Sequence, residues 1–165
     1  MNDNLTDLKT MKDFKEFQTK QYSNKDNLYI LELDISKMMS INDCCGHLIG
    51  DIIILEAVDY INSFISKDEN VFRIGGNRFI IVTPYRSIPY ILNFIFDKRT
   101  KNHIIFNKNN IEKVNGFFNM KEDDLDKYIS SFYETYNNYF KKRTFETNPG
   151  QLYLKTISPL GESVV

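Results

Sequence analysis

The sequence predicts an α/β (α+β) fold: a central mixed, mainly antiparallel sheet flanked by helices. Three observations predict it. Leu28–Leu33 is an apolar run rich in branched and aromatic residues, the composition of a buried strand. Val71–Val82, VFRIGGNRFIIV, sets Gly75-Gly76 between two more such runs, which reads as a hairpin with a tight two-residue turn of positive φ. Around these runs lie apolar stripes at helical spacing, and the resulting order is α-β-α-β-β-α-β-β-α-β. Helices alternating with strands and hairpins pack as layers on a common sheet.

The elements follow in chain order. Leu5, Leu8, Met11, Phe14 and Phe17 recur every three residues and predict an opening helix that starts near Thr6 or Thr10, each a candidate N-cap. Ser23–Asp26 is a polar turn. The strand Leu28–Leu33 carries one charged residue, Glu32, and runs into Asp34. A polar helical turn with Asn42 and Asp43 follows. Gly50-Asp51 reads as the entry to a second helix, where a carboxylate is favourable, and Ile54, Val58, Ile61 and Ile65 form its buried face. After the hairpin, Pro84 and Pro89 bracket a loop and Ile91–Phe96 begins a third helix, ended by the charged run Asp97–Lys101. His103–Phe106 and Ile111–Phe118 read as strands around the polar turn Asn107–Asn110. Asp123–Lys142 is a long helix whose stripe, Leu125, Ile129, Phe132, Tyr136 and Phe140, is core rather than a binding platform. Pro149-Gly150 is a turn and Leu152–Ile157 the last strand.

The 165 residues, 42% of them hydrophobic, form one globular domain over residues 1–157, with 158–165 expected as a mobile tail. A formal net charge of −1 gives no electrostatic footprint for nucleic acid. No apolar run approaches the ~20 residues needed to cross a bilayer, and MNDNLTDLKT lacks a signal-peptide core, so a cytoplasmic location is expected. The adjacent Cys44 and Cys45 read as reduced thiols without metal-site spacing.

Three stretches, in order and at matching separations, resemble the GGDEF family, the diguanylate cyclases of bacterial signalling. Asp3-Asn4-Leu5-Thr6-Asp7-Leu8 is similar to its DxLTxL entry. Asp34-Ile35, Ile41-Asn42-Asp43, Gly46-His47 and Gly50-Asp51 are similar to its DxDxFKxIND..GH..GD stretch. Arg73-Ile74-Gly75-Gly76-Asn77-Arg78-Phe79 is similar to its RxGGDEF hairpin with the acidic pair replaced. The resemblance implies a nucleotidyl-cyclase-like sheet with Asp34 beside the hairpin. It also implies a reaction in which two facing domains join two GTP molecules into cyclic di-GMP, the 3′-hydroxyl of one attacking the α-phosphorus of the other. That chemistry needs cations on the triphosphate, and magnesium prefers carboxylate oxygens.

By the same resemblance, Asp34 matches the metal-binding carboxylate and Ile35 the residue whose carbonyl assists it, while Asn42 and Asp51 match the pair that reads guanine. Read alone, Asn42 and Asp51 are equally good as caps. The departures are sharper. Asn77 and Arg78 replace the acidic pair, changing two negative charges to one positive. Ser36 replaces the second Asp of DxD. Met39 replaces a phosphate-touching lysine for which Lys37 could substitute, and Lys141 or Lys142 matches a late phosphate-binding lysine. Ser66 and Glu69 stand where the inhibitory RxxD belongs, so no product feedback of that type is expected. Glu32 shares a strand face with Asp34 and is expected to pair with Arg73 or Arg78 rather than hold a cation.

These residues predict a degenerate GGDEF domain, unable to make cyclic di-GMP. Arg78 would meet phosphate directly, no cofactor would be required, and magnesium binding at Asp34 and Ile35 would be weak or lost. A guanine nucleotide, a protein partner or a homodimer are the expected partners, and neither nucleic acid nor membrane. Two other readings stay open: a working cyclase or hydrolase with an altered metal site built on Glu32 and Asp34, and a ligand-free interaction domain.

Overall fold

The computed structural model describes residues 2–21, 27–96, 107–117, 120–139 and 149–161. Its sheet is built from β1 (Lys9–Thr10), β2 (Leu28–Ile35), β3 (Asn70–Arg73), β4 (Arg78–Pro84) and β5 (Leu152–Pro159), in the order β1-β3-β4-β2-β5. The β1–β3 pair is parallel and every other pair antiparallel. Among the described residues, six α-helices accompany it: α1 (Met11–Gln21), α2 (Met38–Cys45), α3 (His47–Phe64), α4 (Ile88–Ile95), α5 (Lys108–Lys113) and α6 (Glu122–Tyr139).

Alternation along the central strands makes two cores. Leu31, Leu33, Ile35, Phe79 and Ile81 face a large core shared with α2 to α6. Ile30, Phe72, Ile80 and Val82 face a smaller one under α1, where Phe14 packs edge-on to Phe72. Glu32, Asp34 and Arg78 continue the face of Ile30 and Ile80, where the apolar row gives way to charge.

Thr10 is the start of α1. Its hydroxyl meets the Asp13 amide at 3.4 Å, and its own amide donates to the Asp13 carboxylate at 2.8 Å, a reciprocal cap. The α2–α3 boundary lies earlier than the Gly50 expected from sequence. Gly46, at φ 89°, closes α2 by donating to the Asn42 carbonyl and opens α3 by accepting from the Gly50 amide. Gly50 is therefore buried inside α3. Positive φ favours glycine because a Cβ is strained there.

The hairpin also differs from expectation. A four-residue connection, Ile74–Asn77, joins β3 to β4 and is closed by the Ile74 amide donating to Arg78. Neither Gly75 nor Gly76 has a positive φ. The region of Pro84 and Pro89 is a 3-10 turn, Tyr85–Ser87, leading into α4 with Pro89 in its first turn.

The expected strand Ile111–Phe118 is instead α5 and a 3-10 turn, Asn115–Phe117. Asn107 caps α5 by accepting from the Asn109 amide, and Asn110, 1% exposed, donates to Glu56 and Asp59 of α3. Ile111, Val114 and Phe117 are buried at a spacing of three residues, a helical period that the β-branched composition concealed. The expected strand His103–Phe106 lies outside the described residues.

Gly150, at φ 81°, leads into β5, whose start is tied to β2 by the Gly150 amide on the Ser36 carbonyl and the Ser36 amide on Gln151. The strand continues past Ile157 to Pro159, and Leu160 is buried in the smaller core. Ser158 and Pro159 thus belong to β5, not to a tail, and residues 162–165 lie outside the described residues.

Candidate functional site

The strand register puts Asp34 opposite Arg78 on one side and Tyr153 on the other, beside the hairpin as expected. Glu32, 3% exposed, receives a 2.9 Å hydrogen bond from Arg78 Nη2. This is the expected ion pair, with Arg78 as partner. Arg73 turns the other way, to Asp3 at 2.9 Å and to the carbonyls of Gly75 and Gly76.

A second cation, absent from the sequence reading, completes the cluster. Lys155 Nζ lies 3.9 Å from Glu32 and 3.8 Å from Asp34. Tyr153 donates its hydroxyl to Asp34 at 3.4 Å, and Thr156 to Glu32 at 3.4 Å. Asp34 Oδ1 and Arg78 Nε face each other across 4.0 Å, too far for a hydrogen bond. Burial pushes the Asp34 carboxyl above its ordinary range; Lys155 and Arg78 oppose this, and neighbouring Glu32 adds to it. The period-two spacing of Tyr153 and Lys155 could have flagged one face of β5, but not that this face meets Glu32 and Asp34.

Asn77 closes the other expected metal position. Its side-chain amide donates to the Ile35 carbonyl at 2.9 Å, and the Ile35 amide donates back to the Asn77 carbonyl at 3.1 Å. The carbonyl implied as a metal ligand thus already serves a protein donor. Two carboxylates and two cations make the cluster formally neutral. A divalent ion there would be repelled by Arg78 and Lys155 about as strongly as it is attracted by Glu32 and Asp34, so the cluster offers no net attraction to offset the loss of its hydration. Magnesium does not fit this donor set.

At the junction of α2 and α3, Asn42 lies within α2 and Asp51 within α3, so neither is a helix cap. Gly50, the residue before Asp51, packs against the Asn42 side chain: a Cβ there would sit 2.0 Å from Asn42 Oδ1. Both side chains are half-buried. Burial raises the Asp51 carboxyl, and Arg73 and His47 moderate it. Lys37 precedes α2 with its backbone at φ 56° and is exposed. Met39 is 79% exposed. Lys141 and Lys142 lie outside the described residues.

Ser66 and Glu69 close on one another. The Glu69 carboxylate accepts from the Ser66 amide at 3.0 Å and from the Ser66 hydroxyl, and Thr83 reaches its other oxygen at 3.4 Å. No helix among the described residues is long and apolar enough to cross a membrane.

The sequence matches the model of the diguanylate cyclase GGDEF domain over residues 1–120. It is 43% identical over 56 residues to diguanylate cyclase DgcZ of Escherichia coli K12, a match covering 34% of this chain and 19% of that protein. It is 38% identical over 58 residues to diguanylate cyclase A of Treponema denticola, covering 35% of this chain and 16% of the relative. The chain thus covers less than a fifth of either relative's length. Among solved structures, the GGDEF domain of DgcB from Caulobacter crescentus, in complex with c-di-GMP, aligns with a TM-score of 0.55 at 20% identity, over 66% of this chain and 67% of that one. The FimX GGDEF domain of Pseudomonas aeruginosa aligns at 0.56 and 13% identity, over 64% and 70%. At these identities the structural likeness is one of fold. Motif order, sheet topology and a family match over most of its length agree: the chain belongs to the GGDEF domain family of diguanylate cyclases.

Proposed function

We propose that this GGDEF domain is a non-catalytic regulatory module in bacterial cyclic di-GMP signalling. It binds a guanine nucleotide without metal and acts through a protein partner or a second copy of itself. One observation carries the reading: the carboxylates that would hold a metal face two protein cations, and the carbonyl beside them serves an amide donor. Arg78 and Lys155 neutralise Glu32 and Asp34, and the Asn77 amide holds the Ile35 carbonyl. The alternative of an altered metal site on Glu32 and Asp34 meets the same obstacle, since both carboxylates are already paired.

Asn42 and Asp51 support nucleotide recognition. A carboxylate can accept from guanine N1–H and N2–H, and an amide can meet the neighbouring edge. Arg78 keeps 36% of its side chain exposed and supplies a phosphate donor that needs no metal.

Incubation with GTP and magnesium or manganese, read by chromatography, should yield no cyclic di-GMP above background. Product that disappears in Asp34→Ala would overturn the reading. Calorimetry should find micromolar to millimolar GTP affinity unchanged by EDTA, and about tenfold or greater weakening for each of Asn42→Ala and Asp51→Ala, from ~1–3 kcal/mol per lost hydrogen-bonding partner. Equal affinity for GTP and ATP would leave Asn42 and Asp51 with a packing role alone.

A further inference from the structure

The family motifs end well before β5, yet β5 supplies three of the side chains around the two buried carboxylates. Its pairing with β2 explains how. The register runs regularly from Tyr29↔Pro159 to Glu32↔Thr156, then resumes at Leu33↔Leu154, so Lys155 is the extra residue of a bulge. Regular alternation would send Lys155 and Thr156 to opposite faces. A bulge re-aims neighbouring side chains, and here both reach Glu32. Lys155 Nζ then lies at nearly equal distances, 3.9 and 3.8 Å, from the Glu32 and Asp34 carboxylates.

We infer that Lys155 is the resident cation of this site: delivered by the β5 bulge, it neutralises Glu32 and Asp34 together and excludes a divalent metal independently of the hairpin. This rests on the reading of a metal-excluding site, and it adds a consequence that the hairpin motif does not reveal. Restoring the acidic character of the hairpin alone does not restore a metal site, because an ammonium still sits on both carboxylates. Arg78 and Lys155 approach from opposite neighbouring strands, β4 and β5. Removing Arg78 therefore leaves Lys155 in place.

Manganese binding, followed by electron paramagnetic resonance of the free ion, tests this in four proteins. They are the wild type, a double variant (Asn77→Asp with Arg78→Gln), and that double variant carrying either Lys155→Gln or Lys155→Arg. Arg78→Gln avoids setting a third carboxylate beside Glu32, and circular dichroism checks that each protein folds. Adding Lys155→Gln to the double variant should tighten manganese binding at least tenfold. Adding Lys155→Arg should leave affinity at the double variant's level, which a merely structural role for Lys155 would not produce. Equal affinity of the double variant with and without Lys155→Gln would overturn the assignment of Lys155. Tight binding by the wild type would instead overturn the underlying reading. If the triple variant with Lys155→Gln does not fold, Lys155→Gln alone decides: it should lower the urea midpoint, and a midpoint equal to the wild type's would overturn the inference.

Discussion

The domain has two polar clusters built in different ways. At the strand end, Glu32, Asp34, Arg78 and Lys155 come from three strands and are held by charge. At the helix junction, Asn42 and Asp51 come from two successive helices and are held by backbone fit, with Gly50 letting the Asn42 side chain lie against α3. In the charge cluster the buried carboxylates depend on cations that two other strands supply. In the helix cluster the constraint is steric and local, so the motif spacing survives whether or not a ligand binds.

The largest expected effect breaks the charge cluster. Arg78→Ala removes the 2.9 Å partner of a carboxylate that is 3% exposed. Stripping one partner from a buried pair costs ~3–5 kcal/mol, and with Lys155 still at 3.9 Å about 3 kcal/mol is expected by urea denaturation. A cost below about 0.5 kcal/mol, typical of a surface position, would mean that the cluster is held by the sheet alone.

Gly50→Ala tests the steric cluster and should cost less. A Cβ would lie 2.0 Å from Asn42 Oδ1 and 2.9 Å from Met38 Cε. Overpacking costs ~1–3 kcal/mol, while replacing glycine within a helix returns up to about 1 kcal/mol, so a net loss of about 1–2 kcal/mol is expected. Because Asn42 must move, GTP affinity should fall as well. Undiminished stability and affinity together would remove the distinction between the two clusters.

The smallest effect is a slope with pH. Asp34 and Asp51 both have carboxyls raised by burial, so the folded state holds their protons more tightly than the unfolded chain. As pH falls from neutrality through those raised values towards the ordinary 3.8, each adds stability; as pH rises through them, that gain is lost. Asp3 behaves in the opposite sense. Burial raises it, but hydrogen bonds from Thr6 and Arg73 leave it lowered, and its contribution is lost as pH falls through that lowered value. Thermal melts of Asp34→Asn and Asp51→Asn should each show a flatter gain on acidification than the wild type. If only Asp34→Asn flattens it, the helix junction is better solvated than its burial implies.

Local patterns carried much of this. The branched run into Asp34, the hairpin after it and the close spacing of Asn42 to Asp51 lie within one stretch of chain, and neighbours along a strand or helix inherit their faces from its period. Glu32 declared its need for a partner because a carboxylate in an apolar strand is costly. The α5 segment misled because its isoleucine, valine and phenylalanines favour strands in composition. Contact between Asn110 and α3 decided in favour of helix, and tertiary contacts routinely outweigh such propensities.

By itself, then, the sequence determined the strand–hairpin core, the face shared by Glu32 and Asp34, and the loss of the hairpin carboxylates. Only the tertiary structure decided that Gly46 breaks the helices, that Arg78 rather than Arg73 answers Glu32, and that Lys155 stands between the two carboxylates. Glu32 and Lys155 are far apart along the chain, and their meeting depends on which strand β5 pairs with and where its register slips. Pairing and register are set by the fit of both sheet faces to their cores, a condition that no local period contains.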